Sequence, residues 1–154
     1  MTDVRVKLVE THHEMEACVD LRVRVFVDEQ GSPLDEEIDE YDRSAVHAAA
    51  ILHGRVVGTG RMYRPGSGET QLGRMAGDPA HRRRGIGSLI LSFLEDVAME
   101  RGDTEVVLHA QTYVKRFYEE HAYVAQGEPF VEAGIEHVKM VKALDAKAFG
   151  DEIK

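Results

Sequence analysis

Residues 82–84 are three consecutive arginines, and they stand directly before the most regular helical pattern in the sequence. A helix N-terminus carries roughly half a positive charge, so each cation placed there is disfavoured by about 0.3–1 kcal/mol. The triplet becomes favourable only where an anion binds, and Gly85 and Gly87 would leave main-chain amides open to that anion. The segment therefore predicts a phosphate or diphosphate on the amides of residues 83–88. The alternative is a solvated basic turn before an ordinary helix.

Composition argues against several other kinds of site. The sequence contains neither Gly-x-x-x-x-Gly-Lys-[Ser/Thr] nor Gly-x-Gly-x-x-Gly, the patterns of two common nucleotide-binding loops. A formal net charge of −9 disfavours nucleic acid as a partner, because phosphate contacts need clustered Lys and Arg. One cysteine, Cys18, and no helical i, i+4 His pair disfavour a metal site. The lone thiol also favours a reduced, cytoplasmic setting. No segment reaches the about 20 apolar residues of a membrane span, so we expect no membrane partner.

Hydrophobic periodicity predicts the elements that must position the arginine run. Thr11 and Glu14 have the spacing of a capping box, so a helix should begin after Thr11 and end near residues 28–31. An acidic, irregular loop follows over residues 28–43. The other elements have alternating, helical or fully apolar patterns bounded by turn residues. The predicted strands are Val4–Val9, Val46–Leu52, Arg55–Tyr63, Thr70–Gly77, Val106–Leu108 and His137–Val141, and the later helices carry Ile86–Ala98 and Val114–His121.

This order of elements predicts an α+β, layered fold with a single mixed, mostly antiparallel central sheet and helices on both faces. The length of 154 residues suits one domain, which we place at residues 1–144, followed by a charged tail at residues 145–154. An edge strand near the C-terminus could support a homodimer.

The arginine–glycine run resembles a family signature. Arg-x-x-Gly-x-Gly at residues 82–87 matches the [Arg/Gln]-x-x-Gly-x-[Gly/Ala] pattern of GNAT-superfamily N-acetyltransferases. Residues 117–123 resemble the Phe-Tyr-x-x-x-Gly-Phe segment of the family, with Ala122 in place of the glycine. Residues 21–30 and 132–137 are similar to the ElaA/YjcF-like branch of the superfamily.

The resemblance covers about residues 4–143 and implies the GNAT fold, with acetyl-CoA as co-substrate. In this family the fourth strand carries a bulge and splays from the fifth, and the pantetheine arm pairs with its backbone. Met75, Ala76 and Gly77 are the matching positions; Gly77 departs from the usual apolar residue, but glycine suits a bulge. The implied cofactor-binding residues are Met75, Ala76, Gly77, Arg82, Arg83, Arg84, Gly85, Ile86, Gly87, Ser88 and Phe117.

The implied reaction moves an acetyl group directly to a primary amine. An alkyl amine is mostly protonated at neutral pH, so a base must accept its proton. Glu132, His137 and His109 are the candidates. The resemblance favours Glu132 and His137, whose spacing of five leaves open whether they meet, whereas His109 could be a structural histidine of its strand. Tyr118 matches the general acid that protonates the departing thiolate in the family, although its ring could instead pack against the cofactor or the core. A backbone N–H near Ala76 should meet the oxyanion.

The expected acceptor is an amine of a small molecule or a peptide. The acidic segment at residues 35–42 would attract a cationic amine, or it is a solvated loop. Two other functions stay open. The first is an acyl-CoA-binding module without turnover. The second is an acyl-homoserine lactone synthase, although those enzymes generally lack the glycine-rich motif. The residues that resemble the second are Arg22, Phe26, Glu37, Asp39, Asp42 and Arg61.

Overall fold

The strands of the protein form one mixed sheet of seven strands. The structure is a computed structural model that describes residues 3–31, 39–64, 69–82 and 84–144. In chain order the strands are β1 Arg5–Leu8, β2 Val46–Leu52, β3 Arg55–Tyr63, β4 Thr70–Gly77, β5 Glu105–Gln111, β6 Val124–Glu132 and β7 Ile135–Ala143. Their order in the sheet is β1-β2-β3-β4-β5-β7-β6. β4 pairs with β5 in parallel, whereas β1–β2, β2–β3, β5–β7 and β6–β7 are antiparallel. The predicted α+β class with a mixed, mostly antiparallel sheet is confirmed.

Three α-helices accompany the sheet in the described residues: α1 His12–Arg22, α2 Ile86–Glu100 and α3 Lys115–Glu120. The capping box predicted before α1 is confirmed. The Thr11 hydroxyl accepts a hydrogen bond from the Glu14 N–H at 3.1 Å, and the Glu14 carboxylate accepts one from the Thr11 N–H at 3.2 Å. α1 continues as a π-helical segment, Val23–Glu29. None of the helices in the described ranges is long and apolar enough to span a bilayer.

The chain divides into two compact units, and the first comprises residues 1–63 and 73–94. A buried cluster joins α1 and its π-helical continuation to β4 in this unit. Leu21 and Val25 lie against Ala76, and partly buried apolar side chains pack around the three. Because burial of these apolar side chains away from water is favourable, the cluster fixes the helix on one face of the sheet.

α2 covers the other face of the sheet in the first unit, and two glycines of β3 let it approach closely. A Cβ atom on Gly58 would lie 2.6 Å from Ile86 Cγ2, and one on Gly60 would lie 2.9 Å from Ile90 Cγ2. Because side chains alternate along a strand, Thr59 between these glycines points to the opposite face, where Cys18 of α1 contacts it. The predicted placement of helices on both faces is thus confirmed here.

The second unit comprises residues 64–72 and 95–154, and β5 lies at its centre. Val106, Val107 and Leu108 are all buried, as the apolar run predicts for a strand with neighbours on both sides. The Tyr123 hydroxyl donates a hydrogen bond to Glu95 at 2.8 Å, which ties the chain after α3 to the end of α2.

β6 is an element that the sequence did not predict. Its side chains are mostly exposed, it lies at the edge of the sheet, and its register with β7 is interrupted between Gln126 and Phe130. Gly127 has a φ of 79°, and Pro129 lacks an N–H for the ladder. An irregular edge strand of this kind has no alternation of apolar and polar residues by which it could be recognised.

The predicted loop over residues 28–43 is partly helical. It begins inside the π-helical segment, and Glu40–Arg43 form a turn of 3₁₀-helix. Residues 32–38 of that loop, the turn predicted at residues 65–68 and the tail at residues 145–154 lie outside the described residues.

Candidate active site

β4 leaves the extended conformation at Arg74, whose φ is 52°. Its parallel pairing with β5 covers Thr70–Leu72, which precede that residue. A single left-handed residue inside a strand is typical of a bulge, so β4 carries the irregularity that the family resemblance implies. The left-handed residue is, however, Arg74 and not Gly77, which has no positive φ.

The three residues after Arg74 are the predicted partners of the pantetheine arm. Met75 points to the face that α2 covers, since its sulfur would lie 2.7 Å from a Cβ atom on Gly60. Ala76 is buried on the α1 face. A Cβ atom on Gly77 would approach only the Arg82 side chain, at 4.0 Å, so packing does not require glycine there.

Arg82 is held beside the end of β4. Its Nε donates a hydrogen bond to the Gly77 carbonyl at 3.2 Å, and its two terminal nitrogens donate to both carboxylate oxygens of Glu29 at 2.7 Å. Glu29 ends the π-helical segment, and the paired guanidinium holds the pKa of its carboxyl below the usual value. An anion that binds Arg82 must therefore share this guanidinium with Glu29.

The start of α2 is suited to an anion. Gly85 has a φ of 79°, a conformation that a residue with a Cβ atom adopts at a cost, and its carbonyl accepts the Leu89 N–H at 3.1 Å. The first turn of α2 contains no acidic residue, and Arg84 and Gly85 are exposed. The first amides of a helix have no intrahelical acceptor, so they can donate to a bound phosphate. Arg83 lies outside the described residues.

Tyr118 is buried in α3, where its ring makes edge contacts with Phe117 and Tyr123 at centroid distances of 5.0 and 5.8 Å. Burial, reinforced by the nearby Tyr113 phenol, raises the pKa of Tyr118 above its usual value of 10. Among the described residues, none hydrogen bonds to the Tyr118 hydroxyl. The phenol is therefore protonated at neutral pH, and its hydroxyl can donate a hydrogen bond to a bound ligand.

Glu132, His109 and His137 meet at the carboxyl end of β5 in the second unit. The Glu132 carboxylate lies 3.0 Å from His109 Nδ1 and 3.9 Å from His137 Nε2. The Phe130 ring contacts both imidazoles, edge-on to His109 and stacked on His137. This contact follows from the strand register, because Phe130 pairs with His137 across β6 and β7. The described residues include no group of three or more His, Cys, Asp or Glu placed to hold a metal ion.

The hydrogen bonds of the two imidazoles fix where their protons lie. A carboxylate and a carbonyl only accept, so His109 Nδ1 donates to Glu132 and His137 Nδ1 donates to the Ile135 carbonyl at 2.7 Å. In the neutral rings each Nε2 then carries a lone pair. His109 is partly exposed, whereas His137 is 6% exposed. His109 Nε2 is accordingly the better placed of the two to take a proton from a substrate.

The charges of Asp39 and Asp42 in the acidic segment are already compensated. Asp42 pairs with the buried Arg22 at 2.7 Å, and Asp39 pairs with the buried Arg61 at 2.7 Å and with Arg74 at 3.2 Å. The expectation that this segment attracts a cationic amine is therefore wrong for these two carboxylates. The same contacts bring together four of the residues that resemble a lactone synthase, while Glu37 lies outside the described residues.

Comparison with known proteins decides the family. The sequence profile described as "Acetyltransferase (GNAT) domain" matches residues 11–144. The chain belongs to the GNAT acetyltransferase family. The N-acetyltransferase YjcF of Bacillus subtilis, named as uncharacterized, is 37% identical to it over 79% of this chain and 87% of its own length.

Two solved structures share the GNAT fold of this chain at appreciable identity. An acyl-CoA N-acyltransferase from Pseudomonas aeruginosa is 29% identical with a TM-score of 0.81, over 93% of this chain and all of that one. Escherichia coli ElaA is 25% identical with a TM-score of 0.79, over 92% of this chain and 99% of that one. The predicted membership of the ElaA/YjcF-like branch is confirmed.

Sequence reasoning about this GNAT protein missed the roles of two residues, one beside Arg82 and one inside β4. Glu29 is an ordinary acidic residue in the sequence, and only the fold brings it to Arg82, 53 residues later. Arg74 has a side chain that gives no signal of a left-handed backbone. A glycine at this position would have indicated it.

Proposed function

We propose that this GNAT protein transfers an acetyl group from acetyl-CoA directly to a primary amine of a small molecule or a peptide. The hydrogen bond between Glu132 and His109 Nδ1 carries the proposal, because it leaves a lone pair on a partly exposed imidazole with a carboxylate behind it. This pairing stabilises the imidazolium that forms when the ring accepts a proton. We also propose a cytoplasmic location, since the one cysteine is a buried, free thiol.

The proposed diphosphate site is the start of α2. Main-chain amides of residues 83–88 donate to the diphosphate, and Gly85 and Gly87 leave them accessible. Arg82 and Arg84 add positive charge at the same place. The backbone of Met75–Gly77 binds the pantetheine arm, and Phe117 packs against the cofactor, as the family resemblance implies. What supports this assignment is the absence of acidic residues from the first turn of α2 and the exposure of Arg84 and Gly85 just before it.

The proposed base is His109, and Glu132 orients it. The amine, bound as an ammonium ion, loses one proton to His109 Nε2 and attacks the thioester carbonyl carbon. A second proton leaves the nitrogen as the C–N bond forms and the C–S bond breaks. His137 is buried, donates through Nδ1 to the Ile135 carbonyl and has its Nε2 lone pair 3.9 Å from the Glu132 carboxylate, so we give it no part in proton transfer.

The proposed general acid is Tyr118. It donates its proton to the departing thiolate and recovers one from the nitrogen, so that the products are the N-acetyl amine, the free CoA thiol and one proton. The phenol is protonated at neutral pH, and its hydroxyl donates to no other described residue, which supports this role. A backbone N–H near Ala76 stabilises the oxyanion.

The test is release of the CoA thiol from acetyl-CoA with a panel of diamines, amino sugars and peptides, together with the Glu132→Gln and His109→Gln variants. We expect release with at least one amine, and a fall in kcat of about 100-fold or more in each variant. Binding of acetyl-CoA without release of the CoA thiol would indicate an acyl-CoA-binding module that has no catalytic activity. Formation of a lactone from S-adenosylmethionine would indicate the synthase-like function instead.

A further inference from the structure

Arg74 has a backbone conformation that its residue type disfavours. Its φ of 52° lies in the left-handed region, where a Cβ atom crowds the backbone. Three other described residues that are not glycine have a positive φ: His53, Ala122 and Ala133. All three lie in turns or at a helix end. Among the described residues, Arg74 is the one such case inside a strand. A disfavoured conformation in a strand persists only where its surroundings hold it.

The side chain of Arg74 is held by Asp39. Its Nη2 lies 3.2 Å from Asp39 Oδ2, and the same carboxylate accepts two hydrogen bonds from Arg61 at 2.7 and 2.8 Å. Arg61 is 3% exposed, and its Nη1 also donates to Asp42 at 3.0 Å. Asp42 is in turn bound by the buried Arg22. The carboxylate that contacts Arg74 is therefore anchored in the core.

The backbone of Asp39 is anchored as well. Its side chain caps the 3₁₀ turn by accepting the Tyr41 N–H at 3.0 Å, and its own N–H donates to Asp42 at 3.0 Å. Tyr41 stacks on Tyr63 of β3 with a centroid distance of 4.4 Å. Since both ends of the residue are fixed, Asp39 can restrain a neighbouring side chain without moving itself.

We propose that Asp39 is a positioning residue, which holds Arg74 in the left-handed conformation and so maintains the bulge that presents the Met75–Gly77 backbone to the thioester. The role of that backbone rests on the proposed function. If Arg74 relaxed to an extended conformation, the period of two would turn Met75 away from the α2 face and Ala76 away from the α1 face. In this scheme the guanidinium does not contact the substrate; it only connects the Arg74 backbone to Asp39.

The comparison of Arg74→Gly with Arg74→Ala tests this scheme. Both variants lose the guanidinium, but only glycine adopts positive φ without a penalty. We expect kcat/KM for acetyl-CoA to be about tenfold higher in Arg74→Gly than in Arg74→Ala, the ratio that corresponds to the cost of one left-handed residue. We also expect Asp39→Asn to lose about tenfold, and Asp39→Asn with Arg74→Gly to recover most of that loss.

Two results would overturn the proposal. Equal impairment of the glycine and alanine variants would show that the guanidinium itself acts on the substrate. A double variant no better than Asp39→Asn alone would show that Asp39 serves the ion-pair network and not the bulge.

A stability measurement separates this proposal from the proposed function. Asp39→Asn should lower the midpoint of urea unfolding more with arginine at position 74 than with glycine, whether or not the protein turns over any amine. If the wild type neither binds nor uses acetyl-CoA, the proposed function fails, but this order of unfolding midpoints still tests whether Asp39 restrains Arg74. The opposite order would show that Asp39 does not restrain the backbone of Arg74, whatever the activity of the protein.

Discussion

At the scale of single residues, proton positions decide what the side chains can do. Tyr118 and His109 are both common residue types, but one is buried without a hydrogen bond among the described residues and the other donates through Nδ1 to a carboxylate. The first environment keeps a proton on the oxygen, and the second leaves a lone pair on the nitrogen. The proposed roles of acid and base rest on these hydrogen-bond environments as well as on the residue types.

Tyr118→Phe tests the acid. The change removes the hydroxyl and keeps the ring that packs between Phe117 and Tyr123. We expect kcat to fall by about 100-fold, the usual contribution of one general acid, with the Kd for acetyl-CoA changed by less than about twofold. Steady-state kinetics and calorimetry measure the two quantities.

Tyr123→Phe is the matched control, because it removes another buried phenolic hydroxyl from the same aromatic cluster. Its hydroxyl donates to Glu95, so the change should lower the free energy of unfolding by about 1 kcal/mol and leave kcat within about twofold. Similar kcat values for the two variants would remove Tyr118 from the reaction.

At the scale of elements, α2 has to present its first amides to solvent while it packs tightly on β3. Its apolar stripe buries Ile86, Ile90, Leu94 and Ala98. Close approach at Gly58 and Gly60 fixes where the helix starts. The proposed anion site consequently depends on the helix and on the strand beneath it together.

Gly87→Glu places a carboxylate at the start of α2. We expect the Kd for acetyl-CoA to rise by about 100-fold, because the side chain repels the diphosphate and blocks the amides. Ser92→Glu is the control, since it adds the same charge at an exposed position of the same helix. Wild-type affinity in Gly87→Glu, measured by calorimetry, would show that the diphosphate binds elsewhere.

Gly58→Ala tests the contact between α2 and β3. A Cβ atom there would lie 2.6 Å from Ile86 Cγ2, so the helix or the side chain must shift. We expect the free energy of unfolding to fall by about 1–3 kcal/mol in urea titrations. Gly73→Ala meets nothing within 4 Å and has no positive φ, so it should change the free energy by less than about 0.5 kcal/mol. Equal effects of the two changes would contradict the close packing.

At the scale of the whole molecule, the buried ion pairs make the stability of the protein depend on pH in acid. Burial alone would raise the pKa of Asp42, but the hydrogen bonds and charge of Arg22 outweigh it and lower that pKa to about 2. A lowered pKa in the folded state stabilises the protein above pH 4, the ordinary value of the carboxyl. This contribution, about 2 kcal/mol, is lost as pH falls from about 4 to 2.

Asp42→Asn should therefore destabilise the protein by about 3–5 kcal/mol at pH 7, because it also removes a carboxylate that pairs with both buried arginines, Arg22 and Arg61. In urea unfolding the difference from wild type should shrink as pH is lowered to 3. Asp96→Asn, at an exposed position of α2, should change little at either pH. A difference that is the same at pH 7 and pH 3 would contradict the assignment of the lowered pKa to Asp42.

The elements with strong local patterns were predictable from the amino-acid sequence. The stripe of α2, the apolar run of β5 and the capping box at Thr11 each depend on residues within one or two turns of one another, so periodicity suffices to predict them. The Arg-x-x-Gly-x-Gly run also has a local physical meaning, because charge and glycine stand at a helix start, and the diphosphate site inferred from it stays a prediction.

Contacts between side chains far apart in the chain were not predictable from the sequence and became visible in the folded protein. Glu132 reaches His109 because β7 lies between β5 and β6, and a shift of one residue in either register would send these side chains to opposite faces. Arg74 adopts a glycine-like conformation because Asp39, 35 residues earlier, is fixed beside it. Neither fact has a local signature, since strand register and buried ion pairs are set by the packing of segments that are far apart in the chain.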